Sequence, residues 1–143
     1  MTNIYEQGLD RNQANYVPLT PLSLLSRVER VYPDHPAVIH GKLSYSWRQT
    51  TERCRRLASA LVKRGIGRGD TVAIIAPNTP TIFEAHFAVP MAGAVLNALN
   101  TRLDAATLSF ILEHGEAKAV ITDSEFSPLM RSVLENTSRD LLV

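Results

Sequence analysis

Apolar and polar positions along the chain switch between helical and strand periods. Leu22, Leu25 and Val28 recur three residues apart behind Thr20-Pro21. Threonine caps well there, and proline is preorganised for a first helical turn. The helix must stop near Tyr32, because Pro33 keeps its predecessor out of the helical region. Two short runs, Ala37–His40 and Leu43–Tyr45, flank Gly41-Lys42, and a two-residue linker led by glycine fits a type II′ hairpin. Ser46 and Gln49 have capping-box spacing, and Cys54, Leu57, Ala58, Leu61 and Val62 continue at helical period until Gly65. Thr71–Ala76 is an unbroken apolar run, as expected of a strand covered on both faces.

The pattern then repeats. Asn78-Thr79-Pro80 opens a helix, with Asn78 or Thr79 as its cap. Ile82, Phe83, Phe87, Ala88, Val89 and Met91 surround that helix, so it is expected to be deeply buried, and Pro90 to kink or shorten it. Gly93 closes it, and Ala94–Ala98 reads as a strand. Asp104 caps a helix carrying Leu108, Ile111 and Leu112 that stops at Gly115. Lys118–Thr122 is a third apolar strand, and Asp123 or Ser124 starts a helix carrying Phe126, Leu129, Met130, Val133 and Leu134. Leu141–Val143 looks like the opening of a further strand.

This succession predicts an α/β fold with a doubly wound, mostly parallel sheet. An N-terminal arm, a helix and a β-hairpin precede the sheet. Residues 1–19, polar and aperiodic, form the irregular arm, and residues 20–143 form one partial α/β subdomain. Because the sequence ends inside an element, it is expected to be an incomplete N-terminal subdomain of a larger fold.

Charge excludes some functions. The chain has 143 residues, with 15 Lys+Arg against 14 Asp+Glu; a net charge of +1 gives no electrostatic case for nucleic acid. The single cysteine excludes an intrachain disulfide and a cysteine-based zinc cluster. The start of the chain has no secretory pattern, and no apolar run approaches the roughly 20 residues that span a bilayer. A soluble, cytoplasmic chain is the expectation.

Candidate chemistry is sparse. Gly65-Ile-Gly-Arg-Gly69 has the look of a dinucleotide fingerprint, but it runs from helix to strand, the wrong order for that task. It reads as a helix stop and turn. Arg53, Arg55, Arg56, Lys63, Arg64 and Arg68 read as a solvated helix face, with Glu52 and Arg56 as an i,i+4 pair. Cys54 lies on the apolar stripe and reads as a small buried hydrophobe rather than a nucleophile. His35, His40, His86 and His114 lack metal-ligand spacing. No Gly-x-Ser-x-Gly elbow occurs. The residues nominate no catalytic, no cofactor-binding and no metal-binding position.

A family resemblance enters through longer segments. They are Tyr32-Pro-Asp-His-Pro-Ala-Val-Ile39, Leu43-Ser-Tyr-Ser-Trp-Arg48, Leu57-Ala-Ser-Ala-Leu61, Gly65-Ile-Gly-Arg-Gly-Asp-Thr-Val-Ala73, and Ala88 to Leu103. In order and spacing they resemble the N-terminal region of AMP-forming acyl-CoA synthetases, within the adenylate-forming ligase superfamily. The wording around Ala94–Arg102 is most similar to the fatty-acid and short-to-medium-chain acid branch. The resemblance implies a family that activates a carboxylic acid with ATP and Mg²⁺ to an acyl-adenylate, then transfers the acyl group to coenzyme A. The family's phosphate loop, nucleotide-contacting motifs and catalytic lysine have no counterpart in residues 1–143, so no site residue carries over. The expected role is inactive scaffolding, with ATP, Mg²⁺ and CoA held elsewhere in the full-length protein. The alternative is a stand-alone interaction or homo-oligomerisation module; a dehydrogenase half ranks third, since it lacks its glycine fingerprint.

Overall fold

A computed structural model of the chain describes residues 7, 8, 10, 12, 13 and 16–143. Most of the expected arm lies outside the described residues, and 16–20 lead into the first helix without regular structure. Helix α1 spans Pro21–Val31, the hairpin strands β1 and β2 span Pro36–His40 and Leu43–Ser46, and α2 spans Trp47–Lys63. Then come β3 (Thr71–Ile75), α3 (Pro80–Met91), β4 (Val95–Ala98), α4 (Ala105–His114) and β5 (Ala117–Thr122). The helix expected after Asp123 is divided: a 3₁₀ turn at Ser124–Phe126 precedes α5 at Ser127–Glu135, where Pro128 opens the α-helical part.

Local chemistry sets these limits. Thr20 caps α1 and Ser46 caps α2, each in a reciprocal capping box, with Ser23 and Gln49 respectively. At the end of α2, Ile66 N–H reaches Leu61 O (3.1 Å) and Gly65 N–H reaches Val62 O (3.0 Å). At the end of α3, Ala94 N–H reaches Val89 O (3.2 Å) and Gly93 N–H reaches Pro90 O (2.9 Å). Both are Schellman closures, with Gly65 and Gly93 in the left-handed region at φ 83° and 81°. Pro90 withholds the N–H that would bond His86 O, and α3 ends one residue later, at Met91.

The parallel sheet has the order β4-β3-β5, and Leu142 bridges to Ala119 on the far side of β5. The expected further strand is thus present as a single bridge. Strand β3 is buried on both faces. Val72 and Ile74 point into clusters shared with α2 and α3, whereas Ala73 and Ile75 point into the cluster of α4 and α5 with Leu108, Leu112, Met130 and Val133. The register of β5 on β3 slips between Thr71 and Val72. The slip lets Ala117 share a face with Val120 despite their odd spacing. Ser109 ties α4 to the end of α5 by donating its hydroxyl to Asn136 O (2.9 Å).

Two details depart from the sequence pattern. Helix α3 is buried at Pro80, Glu84, Ala85, Ala88 and Val89, while Ile82, Phe83, Phe87 and Met91 remain half-buried. Gly115 does stop α4, but not through backbone freedom, for its φ is −79°. A Cβ there would stand 2.9 Å from Ile111 O and 3.0 Å from Asn97 Nδ2, so the position needs space. The left-handed residue is the next one, Glu116, at φ 50°.

Opposite effects at adjacent residues follow. Gly115→Ala lowers stability by about 1–3 kcal/mol through that clash, and Glu116→Gly raises it by about 1 kcal/mol by relieving the left-handed strain. Urea denaturation checks both, as shifts in midpoint at unchanged slope. Acid sensitivity is a second expectation. Lys118 and the Gly67 N–H hold the Asp70 carboxyl below the usual range, the Thr107 N–H does so for Asp104, and the Ser138 hydroxyl and N–H for Glu113. Carboxyls depressed in the folded state bind protons more readily when unfolded. Their contribution is therefore present above the ordinary carboxylate range and lost as pH falls through the lowered values. The urea midpoint holds from pH 7 to about pH 5 and drops below about pH 4, and Asp104→Asn, which keeps the cap without the charge, flattens the drop.

Candidate functional site at the carboxyl edge of the sheet

Parallel strands aim their carboxyl ends, and the helices that follow, at one edge of the sheet. Ligands of doubly wound folds bind there, where successive crossovers leave for opposite faces. In the order β4-β3-β5 the connection after β3 leaves towards α3, on the face shared with α2, and the connection after β5 leaves towards α5, on the face shared with α4. The switch point therefore lies between Ala76–Thr79 and Asp123–Phe126. Backbone hydrogen bonds fix its floor: Leu99 N–H to Ile74 O (2.8 Å) and Asp123 N–H to Ile75 O (3.0 Å).

The groups at this edge differ in what they hold. Thr79 occupies the N-cap of α3 but makes no capping bond with its side chain, and its hydroxyl is buried without a partner. Capping by the Asn78 or Thr79 side chain, expected from the sequence, is replaced by Pro80 at the start of the helix, where one N–H that would need a partner is missing. At α4, the Asp104 carboxylate accepts the Thr107 N–H (2.8 Å). At the 3₁₀ turn, Asp123 accepts the Glu125 N–H (3.1 Å). A helix start favours a phosphate through free N–H groups and a positive dipole end. Here two starts hold the chain's own carboxylates, whose charge repels a phosphate, and the third begins with proline. Among the described residues, no group of three or more His, Cys, Asp or Glu side chains stands together to hold a metal ion.

The charged residues of α2 build framework. Arg53 binds the buried Glu84 carboxylate of α3 through two nitrogens, one at 3.1 Å, with its guanidinium 4.7 Å from the centre of the Tyr45 ring. Arg55 grips Glu29 of α1 at 2.6 and 2.7 Å, and Arg56 pairs with Glu52 at 2.8 Å. The Arg53 and Arg55 links hold the hairpin, α1 and α3 against α2, whereas the Arg56 pair lies within α2. Glu84 escaped the sequence analysis, although it is the one Asp, Glu, Lys or Arg in an otherwise apolar helix, and that isolation was the signal. Its burial is sustained because Arg53 meets it with two charge-assisted bonds.

Cys54 is fully buried, and burial followed by the nearby Glu84 charge pushes its thiol up to about 11. A protonated, enclosed thiol is no nucleophile. The histidines do not converge: His35 meets Tyr32 edge-on, His114 stacks on Phe110 at 5.5 Å, and His40 and His86 flank an open groove of about 640 Å³ between β1 and α3. His86 Nδ1 lies 2.7 Å from Ile82 O of its own helix.

Comparison with known proteins places this framework. Residues 25–142 match the family described as AMP-binding enzyme. An acetate–CoA ligase of Humulus lupulus is 54% identical over 89% of this chain, which covers 22% of that ligase. A peroxisomal acetate/butyrate–CoA ligase of Arabidopsis thaliana gives 54% identity over 88% of this chain, again with 22% of the relative covered. The chain thus spans about a fifth of the length of these curated relatives. Among solved structures, a benzoate CoA ligase from Burkholderia xenovorans superimposes with a TM-score of 0.78 at 27% identity, over 84% of this chain and 24% of that one. A fatty acyl CoA synthetase of Mycobacterium tuberculosis does so with 0.77 at 26%, over 84% and 25%. The chain belongs to the AMP-binding enzyme family and corresponds to the N-terminal region of its adenylate-forming ligases.

Proposed function

We propose that this chain is the framework portion of an acyl-CoA ligase that activates a small carboxylic acid with ATP and transfers it to coenzyme A. Residues 20–143 form the partial N-terminal subdomain and residues 1–19 an arm ahead of it. ATP, Mg²⁺ and CoA are gripped by parts of the full-length ligase outside this segment, and the segment alone does not catalyse. One observation carries the scaffold role. Two helix starts at the carboxyl edge of the sheet are filled by the carboxylates of Asp104 and Asp123, whose charge repels phosphate, and the third begins with Pro80. The acetate and butyrate in the relatives' names support a short acyl substrate. No helix among the described residues is long and apolar enough to cross a membrane. The cytoplasm is the proposed location, although five of the relatives are named as peroxisomal; a fluorescent fusion decides.

A second reading has its own support. The groove between β1 and α3 leaves Ile82, Phe83 and Phe87 half-buried, a surface suited to an interaction module. A defined complex or oligomer by size exclusion with light scattering favours that module.

The ligase reading is tested in two assays. The isolated chain shows no acetate- or butyrate-dependent ATP–pyrophosphate exchange above background; robust exchange overturns the scaffold role. Grafted in place of the matching 22% of the Humulus ligase, the segment preserves acetate–CoA ligase activity; a folded but inactive chimera counts against the assignment.

A further inference from the structure

Helix α2 carries charge of nearly one sign. From Trp47 to its cap it holds six cations, Arg48, Arg53, Arg55, Arg56, Lys63 and Arg64, against the single acid Glu52. The chain as a whole is balanced to +1. The excess is therefore local, and with screening over about 8 Å local charge is what a partner meets. Arg48, Arg53 and Arg55 are drawn off towards Asp34, Glu84 and Glu29 of other elements.

On the outer side of the helix Arg55, Arg56, Ser59, Ala60, Lys63 and Arg64 line a shallow shelf of about 460 Å³, with no acid among them. Positions 56, 59, 60 and 63 follow one another at helical spacing, so they share a face. The floor is the small pair Ser59 and Ala60, and cations stand at both ends. The Arg64 guanidinium folds back to donate to Ala60 O at 3.1 Å, which sets it over that floor. At the other end Arg56 meets Glu52 through Nε alone, at 2.8 Å, and keeps both terminal nitrogens of its fork for a further acceptor. Lys63 and Arg64 pair with no carboxylate among the described residues.

The spacing selects the kind of partner. Arg56 and Lys63 are seven residues apart, two helical turns or about 10.5 Å. A second helix with carboxylates seven apart has the same repeat and sets one against each cation. Small side chains in the floor let its axis approach closely. Nucleic acid suits the shelf less well, because Glu29 and Glu52 already stand at Arg55 and Arg56 and no aromatic ring lines it to stack a base. Polybasic segments that hold anionic lipid use clusters of about four to eight Lys or Arg, whereas two of the four cations here already face a carboxylate. We propose that the outer face of α2 docks an acidic helix of another protein, with carboxylates reaching Arg56 at one end and Lys63 with Arg64 at the other. The surface is argued from α2 alone, so it and the ligase reading fail separately.

The probe is a fluorescein-labelled, alanine-rich peptide of about 21 residues with glutamates seven apart, long enough to hold a helix in water. Its lysine counterpart, a short DNA duplex and vesicles of phosphatidylglycerol are the parallel arms. The 143-residue chain is expected to raise the anisotropy of the glutamate peptide saturably at low salt, less so at about 200 mM, and to leave the lysine peptide unbound. Lys63→Glu weakens binding at least about fivefold and Lys63→Gln about two- to fivefold. Lys42→Glu, the same change of charge at the hairpin turn, leaves it within about twofold. Ser59→Phe raises the floor without altering charge and weakens binding as Lys63→Glu does. Circular dichroism checks that each variant folds as the parent does. The proposal is overturned if the glutamate peptide gives no saturable rise, if Lys63→Glu binds it as the parent does, or if Lys42→Glu weakens it equally. Tighter binding of the duplex or the vesicles overturns it in favour of a phosphate-bearing surface. Loss of binding in the folded Humulus graft overturns it in favour of a face that the rest of a ligase covers.

Discussion

The fold depends on one strand that meets water on neither side. In β3, Val72, Ala73, Ile74 and Ile75 are each 0% exposed, so the sequence must supply cover for both faces of a single five-residue segment. A strand so enclosed cannot be reached by one hairpin partner. It requires parallel neighbours on both edges and crossovers that return on both faces. Helix α3 with α2 covers Val72 and Ile74, and α4 with α5 covers Ala73 and Ile75. The opposed directions of the connections after β3 and β5, and with them the crevice between, follow from that double cover.

Polar chemistry is spent on holding these layers. The Arg53–Glu84 pair joins α2 to α3 where Cys54 and Ala88 lie buried close by, and Arg55–Glu29 joins α1 to α2. Carboxylates that could serve a ligand instead close helix starts or brace turns, as Asp104, Asp123 and Asp70 do.

Much of this was legible in the sequence because the determining interactions are local. The Thr20 cap, the capping box at Ser46, the Gly41-Lys42 turn, the glycine after α2 and the unbroken run of β3 each act within a few residues of themselves. What escaped depends on distant approach. Gly115 reads as an ordinary stop until Asn97 is seen against it, and the half-exposed side of α3 appears only once the hairpin is placed. Glu84 is an odd charge in an apolar helix until Arg53 arrives from 31 positions earlier. The carboxylate caps of the candidate site were visible as single residues. Their convergence on one edge was not, because strand order is set by packing on both faces of β3 rather than by periodicity.

The amino ends of the strands show the opposite economy. A Cβ on Gly93 would stand 3.5 Å from the Arg68 backbone, Gly69 N–H reaches Gly93 O, and Val95 N–H reaches Asp70 O, so the two returns into β3 and β4 are stitched into one seam. A residue added to either return would break the stitch and put the pleat of one strand out of phase with its neighbour. Added length is accommodated better at the opposite rim. There loops can lengthen and diversify for new ligands, while the seam behind them keeps the count.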